Sequence, residues 1–96
     1  MITLREPIEF EWDKGNQNKN WNKHKITQKE AEEVFGDKHN KISKDFFHSK
    51  KEDRYLLIGK TTQGRKLFIV FTLRKNKMRV ISARDLSKKE YRLLSK

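Results

Sequence analysis

At 96 residues the chain is long enough for one small domain, 1–96, and too short for two. A third of it is hydrophobic and 39% is charged, yet the apolar residues gather in a few stretches, which argues for a modest core rather than disorder. The absence of cysteine excludes a disulfide framework, a thiolate zinc site and a cysteine nucleophile, and a formal charge of +11 points to a polyanionic or acidic partner.

The charge is unevenly spread. Residues 1–48 carry nine Lys and Arg against nine Asp and Glu, whereas residues 49–96 carry fifteen against four. The second half supplies the whole excess and makes a concentrated positive field suited to nucleic acid or to an acidic protein. The N-terminus lacks the pattern of a secretory signal, because Met1–Arg5 gives way at once to Glu6, Pro7 and Glu9. The longest apolar run, Leu67–Phe71, is far too short to span a bilayer. A cytoplasmic protein without membrane association is the expectation.

Ile8-Glu9-Phe10-Glu11-Trp12 alternates apolar and acidic residues, the period-two pattern of a half-buried strand. Asp13 can then cap a helix over residues 16–24, anchored by Trp21 packing inward, although Gly15 and the many Asn residues make it poor by propensity. The next helix is better marked. Thr27-Gln28-Lys29-Glu30 forms a capping box, Ala31, Val34 and Phe35 give a buried stripe, and Gly36 ends it. Residues 37–51 are polar, with weak strand character around Ile42 and Phe46-Phe47. Three stronger strands follow. Tyr55–Gly59 leads to a turn at Thr62-Gln63-Gly64, and Lys66–Arg74 is apolar on both faces, hence central. Past a short turn at Lys75-Asn76-Lys77 comes Met78–Arg84, and the two tight connections imply an antiparallel meander. A second capping box, Ser87-Lys88-Lys89-Glu90, opens a short last helix with Leu86 and Tyr91 at the positions of a hydrophobic staple. Helices before and after a strand meander make the fold α+β, a small antiparallel sheet packed with helices.

Strand alternation places Arg79 with Ile81 and Ala83, and Arg84 with Val80 and Ser82, so the two guanidinium groups point to opposite faces unless a bulge intervenes. Arg84 stands where strand gives way to helix, and its planar fork suits phosphate oxygens or an ion pair with Asp85 or Glu90. Glu52 and Arg54 share a face if their strand begins that early, as a base-and-cation pair or as a simple salt bridge. His24 and His48 are the candidates for proton transfer near neutral pH, since His39 falls in a loop. Lys23 and Trp21 beside His24 add a cation and a ring suited to a nucleotide's phosphate and base; a solvated surface run is the plain alternative.

The three His lack paired carboxylates at metal-ligand spacing, the four Gly form no phosphate loop, and no Ser-His-Asp arrangement can be built, so neither metal nor cofactor is expected. An enzyme made of these parts works with cations and weak acids alone. That suits RNA, which carries its own nucleophile. A 2′-hydroxyl attacks the adjacent phosphorus, a cation stabilises the crowded anion, and a proton reaches the departing 5′-oxygen.

Three stretches, in order and covering nearly the whole chain, resemble the BrnT toxins of bacterial type II toxin–antitoxin systems. They are FEWDKGNQNKNWNKHKIT (Phe10 to Thr27) with AEEVF (Ala31 to Phe35), HSKKEDRYLLIGKT (His48 to Thr61), and RVISARDLSKKEYR (Arg79 to Arg92). The resemblance implies a RelE-like fold and an endoribonuclease that restrains growth. It also implies inhibition by a BrnA-type antitoxin, through which alone the complex would contact DNA. Carried onto matching positions, it implies a catalytic set of Lys23, His24, Glu52, Arg54, Arg79 and Arg84, with His48 and Tyr91 beside them. Trp21 and Lys88 are further expected RNA contacts, and the basic sheet with the final helix is the expected antitoxin surface. The BrnT pattern has Gly where this chain has Lys25, so Lys25 must either adopt a left-handed backbone at some strain or end the helix differently. The alternative from another functional class is a non-catalytic basic module that binds nucleic acid or antitoxin.

Overall fold

A computed structural model of the chain describes residues 9–13, 15, 24–45 and 52–94. Its elements are α1 (Gln28–Phe35), β1 (Lys41–Lys44), β2 (Arg54–Lys60), β3 (Lys66–Arg74), β4 (Lys77–Asp85) and a 3-10 helix (Lys88–Leu93). The strands form one four-stranded sheet in the order β1-β2-β3-β4, each antiparallel to its neighbour. The meander expected from the short turns is present, and β1 around Ile42 extends it by a strand. Phe46 and Phe47 lie outside the described residues. So does most of the helix expected over residues 16–24, including Trp21 and Lys23.

The capping box at α1 forms as its residues suggest. The Glu30 amide donates to Thr27 Oγ1 at 3.1 Å, and the Thr27 amide donates to Glu30 Oε1 at 3.0 Å. The helix does end at Gly36, but by another means than a left-handed cap: Gly36 has φ −90°. The Asn40 side-chain amide instead reaches back and donates to the carbonyls of Val34 and Phe35 at 2.9 and 3.2 Å. Orphan carbonyls of the last turn are thereby satisfied, so the glycine conformation is not required.

Burial of Ala31, Val34 and Phe35 brings α1 onto one face of the sheet, where Leu57, Leu67, Ile69, Phe71, Val80 and Ala83 complete the core with Ile26. Rings knit the layers together. Phe35 meets Phe10 and Phe71 edge-on at 5.0 Å each, and Tyr55 stacks on Phe71 at 5.4 Å. Gly59 permits the close approach of β2 to the end of α1. A methyl group there would lie 2.9 Å from Val34 Cγ1 and 3.0 Å from both Asn40 Cβ and Asp37 Oδ2.

Two elements differ from the sequence pattern. Within the described residues, the N-terminal strand is a single parallel bridge, Phe10 to Met78, held by Glu11 N–H to Met78 O and Met78 N–H to Glu9 O. The final helix is 3-10 rather than α, and Tyr91 is 40% exposed while Leu86 is buried. The staple gives way to a different contact, in which the Lys66 ammonium lies 4.6 Å over the Tyr91 ring.

Candidate functional site

The face of the sheet away from α1 carries three of the expected site residues, Arg54, Arg79 and Arg84. Its geometry follows from one irregularity. Val70 pairs with Ser82, but Phe71 pairs with Val80, so Ile81 is an extra residue in β4 and a β-bulge sits there. The bulge resets the alternation. Met78, Val80 and Ala83 all turn into the core, while Arg79, Ser82 and Arg84 share the opposite face. The separation of Arg79 and Arg84 expected from unbroken alternation is thus corrected by the bulge.

Arg54 joins them, because Arg54 and Arg79 are both register partners of Thr72, on β2 and β4 respectively. They flank that residue about 10 Å apart, and Arg84, opposite Phe68, lies roughly 13 Å further along the strands. On this face is an open cleft of about 450 Å³, lined by Leu56, Phe68, Val70 and Ile81 together with Asp45, Arg54 and Ser82.

The arginines are held in place by carboxylates. Arg79, with an 18% exposed side chain, binds Glu11 at 3.0 Å and Asp13 at 2.8 Å, so the acidic N-terminal segment fixes its direction. Arg84 makes a two-pronged contact with Glu90 at 2.8 and 2.9 Å while its guanidinium lies 4.1 Å over the Phe68 ring. The Arg84 bonds, helped by the Ser87 amide, pull the Glu90 carboxyl down to about 2, and the carboxylate raises the Arg84 pKa in turn. The ion-pair reading of Arg84 is therefore realised, with Glu90 as the partner.

The strand does not begin early enough for Glu52 and Arg54 to share one of its faces, since β2 starts at Arg54. Glu52 is held instead by Arg74, at 3.1 and 3.3 Å, and the fields of Glu11 and Asp13 reach the same arginine. A carboxylate and several cations consequently meet at the Thr72 end of this face. Arg74 was missed in the sequence, although it shares strand parity with Phe68, Val70 and Thr72.

His24 stands elsewhere. Its half-buried residue lies by the helix-side end of β4, where its charge helps to lower the pKa of Asp85, after the larger effect of hydrogen bonds from Arg65. Arg65, also missed in the sequence, is the hub of this corner. It binds Asp85 at 2.7 and 3.1 Å, Glu30 at 3.0 Å, and the carbonyls of His24 and Lys25 at 3.1 and 3.0 Å. Burial pushes the Glu30 carboxyl up, but its bonds from the Thr27 amide and Arg65 outweigh this and leave it lowered. Lys25 takes the left-handed alternative, φ +56°, with its carbonyl secured by Arg65.

Tyr91 lies at the Arg84 end of the outer face, over Lys66, and Lys88 is exposed on the 3-10 helix. His48, Lys23 and Trp21 lie outside the described residues. Among the described residues no group of three or more His, Asp or Glu is placed to share a metal ion, and no helix is long and apolar enough to cross a membrane.

Residues 12–90 match the family model described as the ribonuclease toxin BrnT of type II toxin–antitoxin systems. The chain belongs to the BrnT family. The matched span runs from Trp12 to Glu90 and so contains the bulged strand, the cleft and the Arg84–Glu90 clasp. No curated protein matches the chain. Membership makes this a ribonuclease toxin with RNA as substrate and an antitoxin as partner.

Proposed function

We propose that this BrnT toxin is a metal-independent endoribonuclease whose outer sheet face binds and cuts RNA. The observation that carries the reading is the β4 bulge, which sets Arg79 and Arg84 on the sheet face where Arg54 lines a cleft. In the proposed step a 2′-hydroxyl oxygen bonds to phosphorus and gives its proton to a carboxylate, for which Glu52 is the candidate. The bond from phosphorus to the 5′-oxygen breaks, and that oxygen takes up a proton, with His48 as the candidate donor. Arg54 and Arg79, at the Thr72 end beside Glu52, neutralise the five-coordinate phosphorane, and Arg84, further along the strands, joins Lys23, Trp21, Tyr91 and Lys88 in holding the flanking strand. The products are a 2′,3′-cyclic phosphate and a 5′-hydroxyl. The fold is read as RelE-like, supported by the antiparallel meander with a helix packed on one face. The partner is read as a BrnA-type antitoxin in the cytoplasm, with DNA contacted only through it.

The test is incubation of purified RNA with the toxin in excess chelator, with end-mapping of the fragments. Cyclic phosphate ends with wild type, and at least a tenfold slower reaction with Arg84→Ala, are expected. Cutting that requires added metal overturns the mechanism. A second reading, a non-catalytic module that retains RNA or antitoxin, is favoured by the carboxylates already seated on Arg79 and Arg84. Uncut RNA retained by a folded protein would establish it.

A further inference from the structure

The cleft on the outer face is more than a gap between cations. Its lining divides between apolar Leu56, Phe68, Val70 and Ile81 and polar Asp45, Arg54 and Ser82. That division suits a flat heterocycle, which buries its faces and presents donors and acceptors along its rim. At about 450 Å³ the cleft is in the range of sites for small ligands. The Arg84 guanidinium over the Phe68 ring already shows the kind of stacking that an unstacked base would continue.

The surroundings argue for a nucleic-acid base rather than a neutral ligand. Arg54 lines the cleft itself, and Arg79 and Arg84 share its face, so a polyanion threaded across the sheet would deliver its bases to this lining. Among the lining residues Asp45 is the one carboxylate. Its amide donates to Arg54 O at 2.8 Å, which extends the β1–β2 pairing one step and fixes where Asp45 leaves the strand. An ionised carboxylate has about four acceptor positions and can take two parallel N–H donors at once while keeping a protein partner. Guanine presents such a pair, N1–H and the N2 amino group, side by side on its Watson–Crick edge. Uracil presents one donor between two acceptors, and adenine and cytosine each pair a donor with an acceptor that would face the carboxylate.

We infer that the cleft is a base-reading pocket in which Asp45 selects guanine and Phe68 supports the ring, so that Asp45 determines which position in the RNA is bound for cutting. The inference rests on the proposed RNA-binding role of this face.

The test uses uncleavable probes, fluorescein-labelled 2′-O-methyl oligouridine hexamers carrying a single central G, A or C. Their binding to the intact toxin is followed by anisotropy. The G probe is expected to bind at least fivefold more tightly than the all-U probe. Asp45→Asn should abolish that preference with little change for oligouridine, while Phe68→Leu should weaken all four probes, circular dichroism confirming that both variants fold. Binding without guanine preference, or a preference that survives Asp45→Asn, overturns the pocket and leaves the RNA-binding role standing. No binding of any probe overturns both. If these variants leave RNA binding intact but speed release of a co-produced antitoxin, the cleft is a protein interface instead.

Discussion

Glu90 shows how single residues set this face. Its carboxyl is drawn down from 4.5 to about 2 by Arg84 and the Ser87 amide. A depressed folded-state pKa means that the unfolded chain binds more protons between those two values. The stabilisation is therefore complete above about 4.5 and is lost as pH falls towards about 2. A carboxylate-detected NMR titration should place the Glu90 midpoint near 2 in wild type, and Arg84→Ala should move it up towards the ordinary glutamate range. Because the pair is partly exposed, its energetic contribution is small; its effect is to hold the Arg84 fork flat over Phe68. Lys25 is the second case. At φ +56° its Cβ is strained, and the Arg65 bond to its carbonyl survives replacement of the side chain. Lys25→Gly should raise stability by about 0.5–1 kcal/mol in urea unfolding, since it removes that strain at the cost of some backbone entropy.

At the scale of elements, the close approach of β2 to α1 makes the sharpest prediction. Gly59→Ala would place a methyl group against Val34, Asn40 and Asp37 at 2.9–3.0 Å, and the Asp37 carboxylate also accepts from the Lys60 amide at 2.8 Å. The substitution should destabilise by about 1–3 kcal/mol, read from the urea midpoint. Elements whose signal is local were legible in the sequence. The α1 box needs only Thr27 and Glu30 three residues apart, and β3 was read to its ends from its apolar run. The bulge was not legible, because Ile81 carries no glycine or proline mark and its extra place exists only relative to β3. With it went the shared face of Arg79 and Arg84, the main feature of the candidate site. Arg65 was hidden for a related reason, since its partners lie 20 to 41 residues away in sequence. Gly36 shows the converse: a glycine signal was present, but Asn40 made its special backbone unnecessary.

At the scale of the whole molecule, the excess of +11 is spent unevenly. On the outer face much of the cationic charge is already balanced, Arg79 by Glu11 and Asp13, Arg74 by Glu52 and Arg84 by Glu90. A phosphate approaching Arg84 must exchange with a carboxylate rather than fill an open fork. This separates affinity from salt dependence. Each phosphate neutralised on a single strand contributes about −0.7 to the slope of log K against log salt, so contacts through Arg54, Arg79 and Arg84 predict a slope near −2. Removing Glu90 takes away the competitor without removing the cation. Glu90→Gln should therefore tighten RNA binding several-fold at low salt while leaving the number of phosphates contacted, and hence the slope, nearly unchanged. Arg84→Ala should weaken binding and flatten the slope by about 0.7. Anisotropy titrations of an uncleavable oligonucleotide from 50 to about 300 mM salt distinguish the cases. If Glu90→Gln weakens binding instead, the carboxylate serves to aim Arg84 at the phosphate, and the clasp is part of the site rather than a competitor for it.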